Sequence, residues 1–226
     1  MKRHLPNLLT CCNLFCGCLG IVFTLEERGV PAAYFVWGAA LFDFMDGFSA
    51  RLLKISSPIG KELDSLADVI SFGVLPSVLM YKLLGAATSD AFLPFVAFII
   101  AICSAVRLAI FNVDETQRDS FKGLNTPANS IFITALPFVG GNAAEWLTLP
   151  WVLVIITLAF SWLLVSRVKI FAFKFKSLSW SDNKVRFIFL AVAMSMLILW
   201  GKGALPLVIL TYIAFSLADN LLKLAD

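Results

Sequence analysis

Histidine is nearly missing: the single His4 stands at the amino-terminal edge, so proton transfer deeper in the chain falls to carboxylates. Zinc-type spacing is absent as well. The chain has five cysteines, and the four at Cys11, Cys12, Cys16 and Cys18 show neither regular spacing nor a nearby His, so they read as small apolar packing residues. The first apolar run has no convincing small-residue cleavage site and carries Thr10 and Asn13, which makes it a retained helix and not a signal peptide. No internal repeat is visible, and this argues against the paired halves of a secondary transporter.

What the chain has in abundance is apolar surface. Of 226 residues 60% are hydrophobic, 21 of them Phe, and the mean hydropathy is +0.89, where soluble domains hold roughly 45–50% apolar residues. A helix needs about 20 apolar residues to cross the hydrocarbon core. Eight runs qualify, near residues 8–25, 31–53, 64–85, 91–111, 127–141, 149–166, 184–200 and 204–222, the fifth being the shortest. The fold class expected is all-α, a polytopic transmembrane bundle forming one integral membrane domain over 1–226. With eight crossings both termini share a side. That side receives Lys2, Arg3, Arg51, Lys54, Lys61, Arg107, Arg118, Lys122, Arg167, Lys169, Lys174, Lys176, Lys184, Arg186 and Lys223, while the other keeps Arg28, Lys82 and Lys202. The positive-inside rule then puts both termini in the cytoplasm. Topology and attraction to anionic lipid suffice to explain Lys169, Lys174 and Lys176.

Against this background four carboxylates stand out. Asp43 and Asp46 are spaced i, i+3, and Asp64 and Asp68 i, i+4, so each pair shares a helical face. Asp43 follows Pro31 by twelve residues, about 18 Å along a helix, and the next run returns from Glu62 or Leu63, so both pairs fall at one depth near the cytoplasmic surface. Two facing pairs concentrate about four negative charges, which repulsion and desolvation forbid without divalent cations. Gly47 and Ala50 continue the stripe without bulk, so a ligand can approach the backbone; close helix packing is the alternative reading. Gly60 extends the second face.

Other polar groups gather at the same level. Pro6 and Asn7 fit a helix start and cap, whereas Asn7, Thr10 and Asn13 serve equally well as site lining or interhelical bonds. Arg107 closes the fourth run, where it either snorkels or binds an anion. The polar segment 112–129, with Arg118 and Lys122, is the best candidate for a substrate loop. Ser71-Phe72-Gly73 and Pro76 invite an irregular turn in the third run.

The pattern Asp43-x2-Asp46-Gly47-x2-Ala50-Arg51-x8-Gly60-x3-Asp64-x3-Asp68 resembles the complete signature of the CDP-alcohol phosphatidyltransferase family. The flanking pieces Pro6-Asn7-x2-Thr10-x2-Asn13, Ser71-Phe72-Gly73-x2-Pro76, Val106-Arg107-Leu108-Ala109 and Phe121-Lys122-Gly123-Leu124-x2-Pro127-Ala128 are similar to its integral-membrane phosphatidylserine synthase branch. Asn125 and Thr126 depart from the proline-containing form of that loop, and beyond residue 130 the likeness is one of hydrophobic pattern.

The resemblance implies a six-helix catalytic core within about residues 1–130, with additional transmembrane helices over 131–226. It implies an inner-membrane homodimer among membrane lipids, with a cytoplasmic active site and no nucleic-acid partner. It further implies two Mg²⁺ or Mn²⁺ ions on Asp43, Asp46, Asp64 and Asp68, and transfer from CDP-diacylglycerol to L-serine with release of CMP. Asp68 would be the general base; Gly47, Ala50, Arg51, Gly60, Asn7 and Thr10 would contact CDP-diacylglycerol, and Arg107, Arg118 and Lys122 the serine carboxylate. The same chemistry with glycerol 3-phosphate, inositol phosphate or choline as acceptor is the alternative, and a cation-coupled transporter a remote one.

Overall fold

The computed structural model describes residues 4–54, 57–114, 121–170 and 180–225. Helix α1 spans Leu5–Leu25 and α2 spans Ala32–Leu53. Helix α3, Pro58–Asp68, runs through a π-helical turn, Val69–Val74, directly into α4, Leu75–Ala87. A 3₁₀ turn, Leu93–Phe98, leads into α5, Ile99–Val113. Then come β1, Phe121–Lys122, and α6, Thr126–Ala135, prolonged by a 3₁₀ turn to Phe138. The short α7 is Asn142–Trp146, α8 is Pro150–Val165, and β2 is Lys169–Ile170. The chain closes with α9, Trp180–Trp200, and α10, Leu205–Ala225.

All eight expected apolar runs are helical, and among the described residues the all-α class holds apart from the two-residue antiparallel pairing of β1 with β2. Among the described residues four stretches are long and apolar enough to cross a membrane: Leu5–Leu25, Pro58–Ala87, Leu93–Val113 and Asn183–Asn220. Helix α2 is as long, at 22 residues, but carries Asp43, Asp46 and Arg51. Phe15, Phe44, Phe92, Ile102, Trp162 and Ile198 are exposed, as expected where lipid replaces water as solvent.

Capping explains the boundaries. Ser57 Oγ accepts from Gly60 N at 3.0 Å with Pro58 in the first turn, so α3 begins several residues before Glu62, and Asp64 and Asp68 occupy its second and third turns instead of its first two. Asn125 caps α6 by accepting from Ala128 N at 2.8 Å. The cap of α1 is His4, without a side-chain bond, so Asn7 lies inside the helix and is released from the capping role. Lys54 ends α2 in the left-handed conformation, φ 51°. At the opposite end of the bundle the backbone N–H groups of Phe92 and Leu93 hold the Asp90 carboxyl below its usual range, and Lys82 does the same for Glu27.

The core lies in two parts. A small cluster of Ala32, Val36, Ala39, Phe72 and Leu75 joins α1, α2 and the π-turn. A larger one unites α4, α6, α8 and α10 through Met80, Leu84, Phe132, Ile133, Leu153, Phe160 and Tyr212. Helix α6 packs against α2, α4 and α10, linking the two parts. The additional helices after residue 130 are therefore continuous with the core of the first half.

Candidate metal and substrate site

Helix α1 packs against both α2 and α3, and Asp43 of α2 lies beside Asp64 and Asp68 of α3. One oxygen from each of Asp43, Asp64 and Asp68 lies within 4.8 Å of the others. Asp64 Oδ1 is buried with no hydrogen-bond partner, a costly condition for a carboxylate oxygen. A dense, all-oxygen, under-bonded donor set is what a hard cation requires; the residues fit a divalent metal.

Asp46 stands slightly apart from this group. It is buried and accepts a hydrogen bond on Oδ2 from Thr10 Oγ1 at 2.5 Å. With Asp64 it faces a cavity of about 200 Å³ that is also lined by Pro6, Asn7, Thr10, Gly47, Ala50, Ser57, Gly60 and Lys61. Five residues picked out by sequence, Asn7, Thr10, Gly47, Ala50 and Gly60, thus share one pocket beside the carboxylates. Gly60 keeps its throat open, since a Cβ there would come within 2.9 Å of Ser57 Oγ and 3.1 Å of Asn7 Oδ1. Arg51 is exposed, one turn beyond Gly47 on α2, and its guanidinium lies 3.9 Å from where a Gly47 Cβ would sit.

A second cavity, about 470 Å³, is lined by Arg107, Ile110, Asp114, Lys122, Leu164, Val165, Ser166, Arg167 and Lys169. Its wall depends on Gly123, which has φ +79° and whose Cβ would press on the carbonyl oxygens of Leu163, Leu164 and Ser166. That close approach lets Gly123 N donate to Val168 O at 2.8 Å and Leu124 N to Leu163 O at 2.9 Å. Arg107, buried in α5, donates from Nε to Leu124 O, and Lys122 Nζ pairs with Asp114 at 2.9 Å. Arg107 and Asp68 also interact electrostatically.

Of the acceptor-side residues read from sequence, Arg107 and Lys122 come together; Arg118 lies outside the described residues. Lys169, which topology and attraction to anionic lipid suffice to explain from sequence, lines this cavity together with Arg167. The β1–β2 register, which sets Lys122 opposite Lys169, brings them there. Two-residue strands carry no detectable period, so no local signal could have found them.

The family model described as CDP-alcohol phosphatidyltransferase matches residues 3–218. The chain is 33% identical over 176 residues to the CDP-diacylglycerol--serine O-phosphatidyltransferase of Bacillus subtilis, covering 76% of this chain and 92% of that protein. Proteins of the same name from Mycobacterium leprae and Saccharomyces cerevisiae are 34% identical over 172 residues and 35% over 151. The match covers 73% and 60% of this chain, and 57% and 54% of those longer relatives.

Proposed function

The chain belongs to the CDP-alcohol phosphatidyltransferase family, and we propose that it transfers the phosphatidyl group of CDP-diacylglycerol to L-serine, giving phosphatidylserine and CMP. The observation that carries this reading is the grouping of Asp43, Asp64 and Asp68, with Asp64 lining a small-residue pocket, in a chain that also holds a cationic cavity lined by Arg107 and Lys122. The pocket suits a nucleotide diphosphate, and the cavity suits the carboxylate of an acceptor such as serine. The name shared by the relatives supplies serine.

In this reading Asp43, Asp46, Asp64 and Asp68 would hold two divalent ions, Mg²⁺ or Mn²⁺, which would supply positive charge to the diphosphate. Asn7, Thr10, Gly47, Ala50 and Gly60 seat the nucleotide end, and Arg51 makes charge-assisted bonds to phosphate. Arg107, Lys122 and Arg118 orient serine by its carboxylate. Asp68 takes the serine hydroxyl proton; the hydroxyl oxygen bonds to the lipid-side phosphorus, the bond from that phosphorus to the bridging oxygen breaks, and CMP leaves with the electron pair. The Lys and Arg distribution supports a cytoplasmic location for this centre and both termini, in an inner-membrane protein. Residues 1–130 form the catalytic core in this proposal, and the active form is a homodimer.

A second reading keeps the chemistry and changes the acceptor. Arg107, Lys122, Arg167 and Lys169 face one lining carboxylate, Asp114, more positive charge than one serine carboxylate requires, which favours a phosphorylated acceptor such as glycerol 3-phosphate. The deciding experiment measures CMP release from CDP-diacylglycerol by the purified protein with serine, glycerol 3-phosphate, inositol phosphate or choline, with and without chelator. Serine-dependent release abolished by chelator is the expected result. Preference for another acceptor overturns the choice of serine, and ion movement without CMP release overturns the enzyme.

A further inference from the structure

Helix α1 lies outside the spaced Asp-Gly-Arg pattern, yet it supplies hydrogen bonds that hold the carboxylates. Asn13 is fully buried, and its Nδ2 donates to Asp68 Oδ1 at 3.0 Å. The reverse amide orientation would set two acceptor oxygens against each other, because an ionised carboxylate only accepts. Asn13 Oδ1 is left buried with no partner. A leucine, with the same number and branching of side-chain heavy atoms, would leave no polar atom unpaired, so packing alone does not account for an amide here.

Asn13 is itself held from behind. Ser71 Oγ donates to the backbone carbonyl oxygen of Asn13 at 2.9 Å. Ser71 belongs to the π-helical turn that starts one residue after Asp68, so one short segment carries both the carboxylate and the group that fixes its hydrogen-bond donor. Gly17, one turn after Asn13 on α1, makes the contact possible, since a Cβ there would collide with Ser71 Oγ and come within 2.9 Å of Ser71 Cα. The order is Gly17, Ser71, Asn13, Asp68.

We propose that Asn13 is a positioning residue for Asp68, with Ser71 and Gly17 fixing Asn13 in turn. The amide engages Oδ1 and thereby sets the direction in which Oδ2 faces the metal and acceptor. This inference rests on the reading of Asp68 as metal ligand and base. Residues that orient a metal's direct ligands change metal affinity by about 10–100-fold when replaced.

The test is Mn²⁺ titration of the purified full-length protein in detergent, read by electron paramagnetic resonance of the free ion, with CMP release measured in parallel. Asn13→Leu is expected to weaken Mn²⁺ binding by about 10–100-fold. It should also lower kcat at saturating Mn²⁺ and leave the KM for CDP-diacylglycerol within about twofold, since the donor acts on a carboxylate and not on the nucleotide pocket. Ser71→Ala, which touches no carboxylate, is expected to weaken Mn²⁺ binding in the same direction by less. A purely structural role predicts a lower melting temperature for the metal-free variants with wild-type Mn²⁺ affinity, and that outcome overturns the proposal. Should Asn13→Leu fail to fold, wild-type Mn²⁺ affinity in Ser71→Ala alone overturns it. Wild-type protein that takes up no Mn²⁺ refutes the metal reading, and this inference with it.

Discussion

Replacing Asp64 by Asn is expected to stabilise the metal-free protein while abolishing its activity. The nearest oxygens of Asp43, Asp64 and Asp68 lie within 4.8 Å of one another, so at an effective dielectric of about 20 each ionised pair repels by about 3.5 kcal/mol or more. Two of the three pairs include Asp64. The new amide also offers donors to carboxylates on either side, in place of an oxygen that has no partner. Relief of one pair alone corresponds to a rise in melting temperature of about 7–14 °C, at about 2–4 °C per kcal/mol for a chain of this size. Intrinsic fluorescence of the six Trp residues reports unfolding in detergent, measured once in chelator and once in Mn²⁺. In chelator the variant melts above wild type; Mn²⁺ then raises wild type by more than the variant, and CMP release by the variant stays at background. A variant that melts at or below wild type in chelator would refute the reasoning, because the three carboxylates would then not be repelling one another in the folded protein.

Gly60→Ala places a methyl group against Ser57 Oγ and Asn7 Oδ1; it should raise the KM for CDP-diacylglycerol by about tenfold, equivalent to about 1.4 kcal/mol, with the serine KM unchanged. Arg107→Gln removes a buried cation from the second cavity and its bond to Leu124 O; initial rates at varied acceptor should show a serine KM raised at least about tenfold, in keeping with the worth of a charge-assisted bond. Lys169→Gln should raise the same constant by a smaller factor, as an exposed cation contributes less. Changing Cys11, Cys12, Cys16 and Cys18 together to Ala should leave the chelator sensitivity of CMP release intact, because no cysteine joins the carboxylate group.

The crossings and the carboxylate pairs were legible because each rests on a strong local signal. Twenty apolar residues in a row leave little choice of structure, and i, i+3 or i, i+4 spacing fixes a common face once a helix is granted. Gly47, Ala50 and Gly60 extend the same periodicity, whereas Asn7 and Thr10 stand out as polar groups in an apolar helix and are tied to the site by family resemblance. What stayed hidden depends on contacts between distant segments. The pairing of Lys122 with Lys169 joins positions 47 residues apart through two residue pairs, and the separation of Asp46 from the other three carboxylates reflects its bond to Thr10 on another helix. Asn13 was ambiguous for a related reason: an amide in an apolar helix announces a partner without naming it, and the partner is 55 residues away. The early start of α3 could have been anticipated, since Ser57-Pro58 is a cap followed by a favoured first residue.

The π-helical turn after Asp68 has a consequence for how the third crossing tolerates change. A wide turn holds about one residue more than an α-turn, and one residue corresponds to about 100° of helical rotation. The helix therefore runs in two angular phases. Asp64 and Asp68 are set by the phase before Val69, and Leu75, Met80 and Leu84, which fill the core, by the phase after Val74. Deleting one residue within Val69–Val74 would merge the phases into a single straight helix, and either the carboxylates or the core residues would have to swing away from their neighbours. The six residues thus work as a clutch between chemistry and packing, allowing each half of one membrane crossing to be aimed separately.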